Sequence, residues 1–266
     1  MSTTQARGYS TQEVLACWLS REFEDGMSLG CGQNSGIARA AVLLAHLHHG
    51  PNITIGMAYT STNLFNVPQI GYFELESDQR GARWGESVSV DETNIPYRKR
   101  GIKNGRFFIG GLQVDKYGNT NLIGIGPDYK RLKVRGPGGV ATSSMATTTK
   151  TYYIILNHHD RRTLVDKCDY ISALGHGDGP DTRKKLGLPG GGPKYCLTPL
   201  CIMDFEEQTK RMRLKSVHPG VTVEQVIENT GFELILPKEV PTTELPTEEE
   251  LRILRTRIDA EGWLRQ

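Results

Sequence analysis

Residues 27–55 read MSLGCGQNSGIARAAVLLAHLHHGPNITI, and the fold turns on how this stretch is parsed. Met27, Ser28 and Leu29 form a short apolar strand that runs into the glycine loop GCGQNSG at 30–36. Ile37 to His48 is a helical run closed by Gly50, and Ile53, Thr54 and Ile55 form a second β-branched strand. Strand, glycine loop, helix and strand in that order make a βαβ unit. Such a unit implies an α/β fold with an open, mainly parallel sheet and helices on both faces. Ligands of open α/β sheets sit just past the carboxyl ends of the strands. The second strand reaches that point at Gly56, followed by Met57 and Ala58.

Working outward, Ser10 and Glu13 make a capping-box pattern ahead of Val14, Leu15, Trp18, Leu19 and Phe23, with Gly26 as the helix stop. Residues 63–100 show no clear period and read as irregular. Arg106–Ile109 is a strand, and Asp115–Asn119 is a turn between two extended segments. A second glycine loop, RGPGGVATSS at 135–144, precedes the aromatic and β-branched strand Tyr152–Leu156. Residues 175–192 are rich in glycine and proline and read as loop. Leu200–Phe205 and Arg211–Lys215 read as paired strands. Thr222 and Gln225 cap a helix that stops at Gly231, and Thr247 with Glu250 caps a C-terminal one. There are no internal repeats, and residues 1–266 read as a single domain.

Of the 266 residues, 23% are charged and 37% hydrophobic, which suits a globular chain with a sizeable core. A net charge of +2 argues against nucleic acid or an acidic membrane surface as a partner. Cys17, Cys31, Cys168, Cys196 and Cys201 are scattered without CxxC spacing, so neither a zinc site nor a disulfide framework is indicated. No apolar stretch approaches membrane-spanning length and MSTTQARGYSTQEV carries no apolar signal region, so a reduced, cytoplasmic setting is expected.

The glycine loops carry most of the chemistry. GCGQNSG aims backbone N–H groups and a helix N-terminus at an anion, or it is only a tight connection. Its third glycine falls one residue too late for a dinucleotide fingerprint, and no Gly-Lys-Ser/Thr follows. In GPGGVAT the amides of Gly138 and Gly139 form an oxyanion hole, or the glycines serve a turn. Asn157–Arg162 reads better as a solvated strand end than as a site. His46 and His49 share a helix face with no third ligand in evident spacing, so helix C-terminal capping is the better reading and no metal is expected. Asp91-Glu92 and the pair Glu74 and Glu76 are acid–base candidates, although most such pairs are surface charge.

Four motifs occur in a telling order: GGLQVDKYGNTN at 110–121, GPGGVAT at 136–142, GDGPDTRKKLGLPGGGP at 177–193 and HPGVTVEQVIENTGFEL at 218–234. Together they resemble the β-subunits of the class I CoA-transferase family, of the glutaconate type, over nearly the whole chain. The resemblance implies an open α/β fold, a similar α-subunit as partner, an acyl-CoA substrate, and no cofactor beyond the coenzyme A of that substrate. It implies a binding surface from Gly32, Gln33 and Asn34, from Gly56, Met57 and Ala58, and from Gly136, Gly138, Gly139 and Val140. In that family a glutamate at the end of the second strand attacks the thioester and carries CoA covalently. Here that position is Gly56, and shifting the alignment by a residue or two brings in no carboxylate.

Relatives lacking the glutamate act on CoA thioesters without transferring CoA. One type opens a ring ketone hydrolytically in steroid ring degradation, and another resembles a decarboxylase of a glutaconyl-type thioester. Three expectations follow. The first is a β-subunit of a non-transferring enzyme that cleaves a C–C bond. The second is a true transferase whose carboxylate comes from elsewhere, such as Glu74, Glu76 or Glu92. The third is a non-catalytic subunit that only builds CoA-binding surface.

Overall fold

Ser10 opens the first helix as its sequence dictates. Its hydroxyl accepts from the Glu13 N–H while the Glu13 carboxylate accepts from the Ser10 N–H, a complete capping box for α1 (Thr11–Ser20). The helix ends at Ser20, earlier than the sequence suggests. Gly26, with φ of 78°, belongs instead to the turn that leads into β1 (Ser28–Cys31). The computed structural model describes residues 8–32, 35–57, 60–64, 82–87, 103–139 and 141–266.

By its contacts the chain divides into two compact units, residues 1–108 with 244–266, and residues 109–243. In the first, α2 (Gly36–His48) connects β1 to β2 (Thr54–Met57). The two strands pair in parallel with Gly30 opposite Gly56, the predicted βαβ unit. Every residue of α2 from Ile37 to His46 is buried, so this helix is covered all round. β3 (Thr60–Leu64) runs antiparallel to β2, and β4 (Ala82–Ser87) antiparallel to β3. These two strands correct the irregular reading of residues 63–100. TSTNL and ARWGES carry no apolar alternation, so only the ladder pairing reveals them. On the other side of β1, β5 (Gly105–Ile109) pairs in parallel. Gly30 is required there, because a Cβ would stand 2.8 Å from the Phe107 ring.

The second unit opens with β6 (Gln113–Asp115) and β7 (Thr120–Asn121), joined by the predicted turn. The Asp115 carboxylate holds that turn by accepting from the N–H groups of Tyr117 and Asn119 and from the Asn119 side chain. A small hairpin follows, β8 (Gly124–Ile125) and β9 (Val134–Arg135), and then a helix the sequence does not announce, α3 (Thr142–Thr148). Ala141 enters α3 with φ of 58°, a left-handed conformation uncommon outside glycine. β10 (Thr151–Ile155) and the short β11 (Leu164–Val165) come next, and α4 (Thr182–Lys185) interrupts the glycine-rich segment read as loop. β12 (Pro193–Leu197) pairs in parallel with β10, while β13 (Cys201–Phe205) and β14 (Met212–Val217) add antiparallel strands. The Thr222–Gln225 box then caps α5 (Val223–Glu228).

After residue 243 the chain returns to the first unit with α6 (Glu248–Ile253), again opened by a full capping box at Thr247 and Glu250. Two bidentate ion pairs bind this segment to α1. Arg21 holds Glu250 at 2.7 and 2.6 Å, and Arg255 holds Glu13 at 2.7 and 2.8 Å. Burial pushes both carboxylates up, but the arginine hydrogen bonds prevail and both stay below the usual carboxylate range. The pairing is mixed, parallel at β1–β2, β1–β5 and β10–β12 and antiparallel at β2–β3, β3–β4, β12–β13 and β13–β14, in an α/β fold of the expected class. Among the described residues no helix is long and apolar enough to cross a membrane.

Candidate active site

Gly56 lies inside β2 rather than past its end, since the strand continues to Met57. It is buried in the sheet. Gly30 is its partner on β1 and Ser61 its partner on β3, while Cys31 stands opposite Met57. The carboxyl end of β1 leads to Gly32, around which an added Cβ would meet open space. Gln33, Asn34 and Ala58 lie outside the described residues, as do Glu74, Glu76, Asp91 and Glu92.

The thiol nearest Gly56 in the strand register is not a ready nucleophile. Burial pushes the Cys31 thiol up to about 12 against the opposing pull of the Arg39 charge, so the sulfur stays protonated at neutral pH. The buried carboxylates of this unit are engaged elsewhere: Glu13 and Glu250 hold their arginines, and Asp259 accepts from the backbone of Trp263 and Leu264. Two residues that sequence reasoning overlooked belong to the elements around Gly56. Arg39 is a buried cation in the first turn of α2, legible only as a charge inside an otherwise apolar helix. Glu86 occupies the same register row as Gly56, two strands away through Ser61.

In the second unit the glycine loop is more constrained than its composition suggests. Gly136 donates its N–H to the Ile123 carbonyl at 2.8 Å, and a Cβ there would collide with the Leu122 carbonyl. Gly138 donates to the Leu122 carbonyl at 2.9 Å, which corrects the oxyanion-hole reading for that amide. Its φ of 92° nevertheless demands glycine, and the space where a side chain would stand is open. Gly139 packs against Ser172, with a virtual Cβ 3.1 Å from the serine Cβ, and Val140 lies outside the described residues.

The histidines turn out to be structural. His46 places Nε2 2.8 Å from the Leu64 carbonyl on β3, and His49 places Nε2 2.9 Å from the Phe23 carbonyl. Both side chains therefore bind carbonyls of other segments instead of capping their own helix. In Asn157–Arg162 the arginines are exposed as expected, but His159 is buried with Nδ1 2.8 Å from Thr198 Oγ1 and Nε2 3.1 Å from Thr230 Oγ1.

Residues 13–229 match the family described as coenzyme A transferase. The chain belongs to that family. It is 37% identical over 253 residues to the β-subunit of a 3-oxoadipate CoA-transferase of Pseudomonas knackmussii, covering 93% of this chain and 92% of the relative. It is 42% identical over 153 residues to the β-subunit of the glutaconate CoA-transferase of Acidaminococcus fermentans, covering 57% and 56%. A cholesterol ring-cleaving hydrolase subunit of Rhodococcus jostii is 29% identical over 177 residues, covering 62% and 65%. Among solved structures, the A. fermentans glutaconate coenzyme A-transferase superposes with a TM-score of 0.81 at 28% identity, covering 100% of this chain and 99% of that one. A decarboxylase, AibA/AibB, superposes at 0.78 with 18% identity, covering 97% and 98%, and so shares the fold. Coenzyme A transferase family membership thus confirms the resemblance carried by the four ordered motifs.

Proposed function

We propose that this coenzyme A transferase family subunit works with an α-type partner subunit on an acyl-CoA thioester and breaks a C–C bond instead of transferring CoA. One observation supports the reading: where the resemblance leads one to expect the family's glutamate, the sequence has Gly56, which lies on β2. An anhydride followed by an enzyme–CoA thioester needs a side-chain carboxylate, and the neighbouring Cys31 thiol is held neutral. A thioester carbonyl fixed in such a site can still accept a bonding pair as an enolate. Water adding to a ring ketone of the substrate supplies the oxygen, the C–C bond breaks toward the thioester's α-carbon, and a proton then quenches the enolate. Decarboxylation follows the same electron path, with CO2 as the departing fragment. A ring-opened intermediate of steroid breakdown is a substrate of the first kind.

A second reading, true transfer, has support of its own in the 37% identical 3-oxoadipate CoA-transferase relative and in the place of Glu86 in Gly56's register row. Borohydride separates the two readings, because it reduces an enzyme–CoA thioester and inactivates a transferase irreversibly. The complex treated with its acyl-CoA and then borohydride is expected to keep its activity. Intact-mass analysis is expected to find no CoA adduct. An adduct on Glu86, or on any other carboxylate of the chain, would sink the first reading in favour of transfer.

The glycine loop gives a further expected result. We place the uncovered backbone at Gly138 against the acyl-CoA, so Gly138→Val should both strain the backbone and fill that space. Left-handed backbone costs a side-chain-bearing residue about 1–2 kcal/mol, too little to unfold a typical domain. Turnover is expected to fall by roughly 100-fold, the scale on which misplacing a substrate by an ångström acts. Retained turnover in a folded Gly138→Val variant would reduce the loop to a turn.

A further inference from the structure

The hairpin that precedes the glycine loop holds a concentration of charge separate from the groups around Gly56. Residues 128–135 read DYKRLKVR, four cations and one acid, more net positive charge than the +2 of the whole chain. Lys130, Arg131, Lys133 and Arg135 are all exposed, and among the described residues none of them forms an ion pair. The nearby acids are committed. Asp128 accepts from the Lys130 N–H, Asp169 accepts from the Gly126 N–H at 2.7 Å, and Asp166 pairs with Lys116.

The same hairpin is braced from below. Tyr170 donates its hydroxyl to the Gly126 carbonyl at 2.8 Å, and Lys133 donates its N–H to the Ile125 carbonyl. Tyr129, 58% exposed, rests edge-on against the Tyr170 ring with centroids 5.9 Å apart. An accessible aromatic ring thus shares a short, ordered stretch with four exposed cations and a single acid, Asp128. Gly136 follows directly and Gly138 two residues later.

Resting on the acyl-CoA reading, the geometry points to the Tyr129–Arg135 hairpin as the subsite for the 3′-phosphoadenosine diphosphate end of coenzyme A. Guanidinium and ammonium groups suit a phosphomonoester beside a pyrophosphate, and an exposed aromatic ring suits stacking of the adenine. Lys130 and Arg131 lie in the helical turn between β8 and β9, Lys133 just before β9 and Arg135 on it, so the charge is confined to one short connection, which suits a single nucleotide better than a duplex.

The test uses the intact complex with its partner subunit and calorimetric titration with CoA and with 3′-dephospho-CoA. The parent complex is expected to prefer CoA. Lys130→Glu with Lys133→Glu should weaken CoA binding by at least about tenfold and erase the preference over dephospho-CoA, as loss of charge-assisted bonds to one phosphate requires. The milder pair Lys130→Gln and Lys133→Gln, checked by circular dichroism, should shift both quantities the same way by less. If the variants keep the parent's preference for CoA within twofold, the assignment fails while the acyl-CoA reading stands. A parent complex that binds neither ligand removes the acyl-CoA reading as well. Variants that no longer elute with the partner subunit would assign the hairpin to the subunit interface and overturn the proposal.

Discussion

Arg183→Met is expected to destabilise the second unit by about 4 kcal/mol, visible as a fall of roughly 2 M in the urea midpoint. Arg183 sits on the short helix α4 and is buried without a carboxylate partner among the described residues. Its guanidinium instead donates to four backbone carbonyls: Gly190 at 3.0 Å, Leu174 at 3.0 Å, Gly175 at 3.1 Å and Ala146 at 2.8 Å. It therefore ties both arms of the glycine-rich segment to α3. Removing the donor leaves the Gly190, Gly175 and Ala146 carbonyls without it at about 1–3 kcal/mol each, partly relieved where water enters, while the Leu174 carbonyl keeps the Tyr152 hydroxyl. Lysine should recover only a fraction, since one ammonium cannot reproduce the guanidinium fork. A midpoint within about 0.3 M of the parent for Arg183→Met would show that these carbonyls find other donors.

The second large effect is on stability below neutral pH. Burial holds His159 down at about 4, and burial with the Lys210 charge does the same for His176. His218, with Nε2 2.9 Å from the Thr198 carbonyl and Nδ1 3.0 Å from Thr243 Oγ1, is lowered by burial as well. In the unfolded chain these rings titrate near 6.5, so on acidification the unfolded state takes up protons first. Stability from His159 and His176 is complete above about pH 6.5 and is lost as the pH falls through their folded values near 4, and the His218 contribution declines in the same direction. A gap of about 2.5 pH units corresponds to about 3 kcal/mol for each of His159 and His176. Urea unfolding at pH 7.5, 5.5 and 4.5 should trace that decline, and His159→Gln should flatten it. A parent whose unfolding free energy is level from pH 7.5 to 4.5 would show that the rings take up protons as readily in the folded chain as in the unfolded one.

Neither of these groups was legible as structural in the sequence. Arg183 stands among RKK in a stretch read as loop, and His159 inside NHHDRR, a string with every mark of a solvated surface. What buries them is the return of distant segments: Ala146 against Arg183, and Thr198 and Thr230 around His159. Side-chain burial is a long-range property, and a local string does not encode it. The strands at Thr60–Leu64 and Ala82–Ser87 escaped for a related reason. Their backbones are satisfied by neighbouring strands, so they need no apolar alternation of their own.

By itself the sequence determined whatever depends on neighbours a few residues apart. The three capping boxes, the βαβ unit at 28–57 and the β13–β14 hairpin all follow from local hydrogen bonding and local hydrophobic period. The order of four motifs also determined the family. Tertiary structure decided the rest. It moved Gly56 from a strand end into a strand with Gly30 and Ser61 as neighbours, engaged the Gly138 amide with Leu122, and set Glu86 in the register row of Gly56. Such facts depend on which strand lies beside which, and pairing register is fixed by ladder hydrogen bonds between segments far apart in the chain.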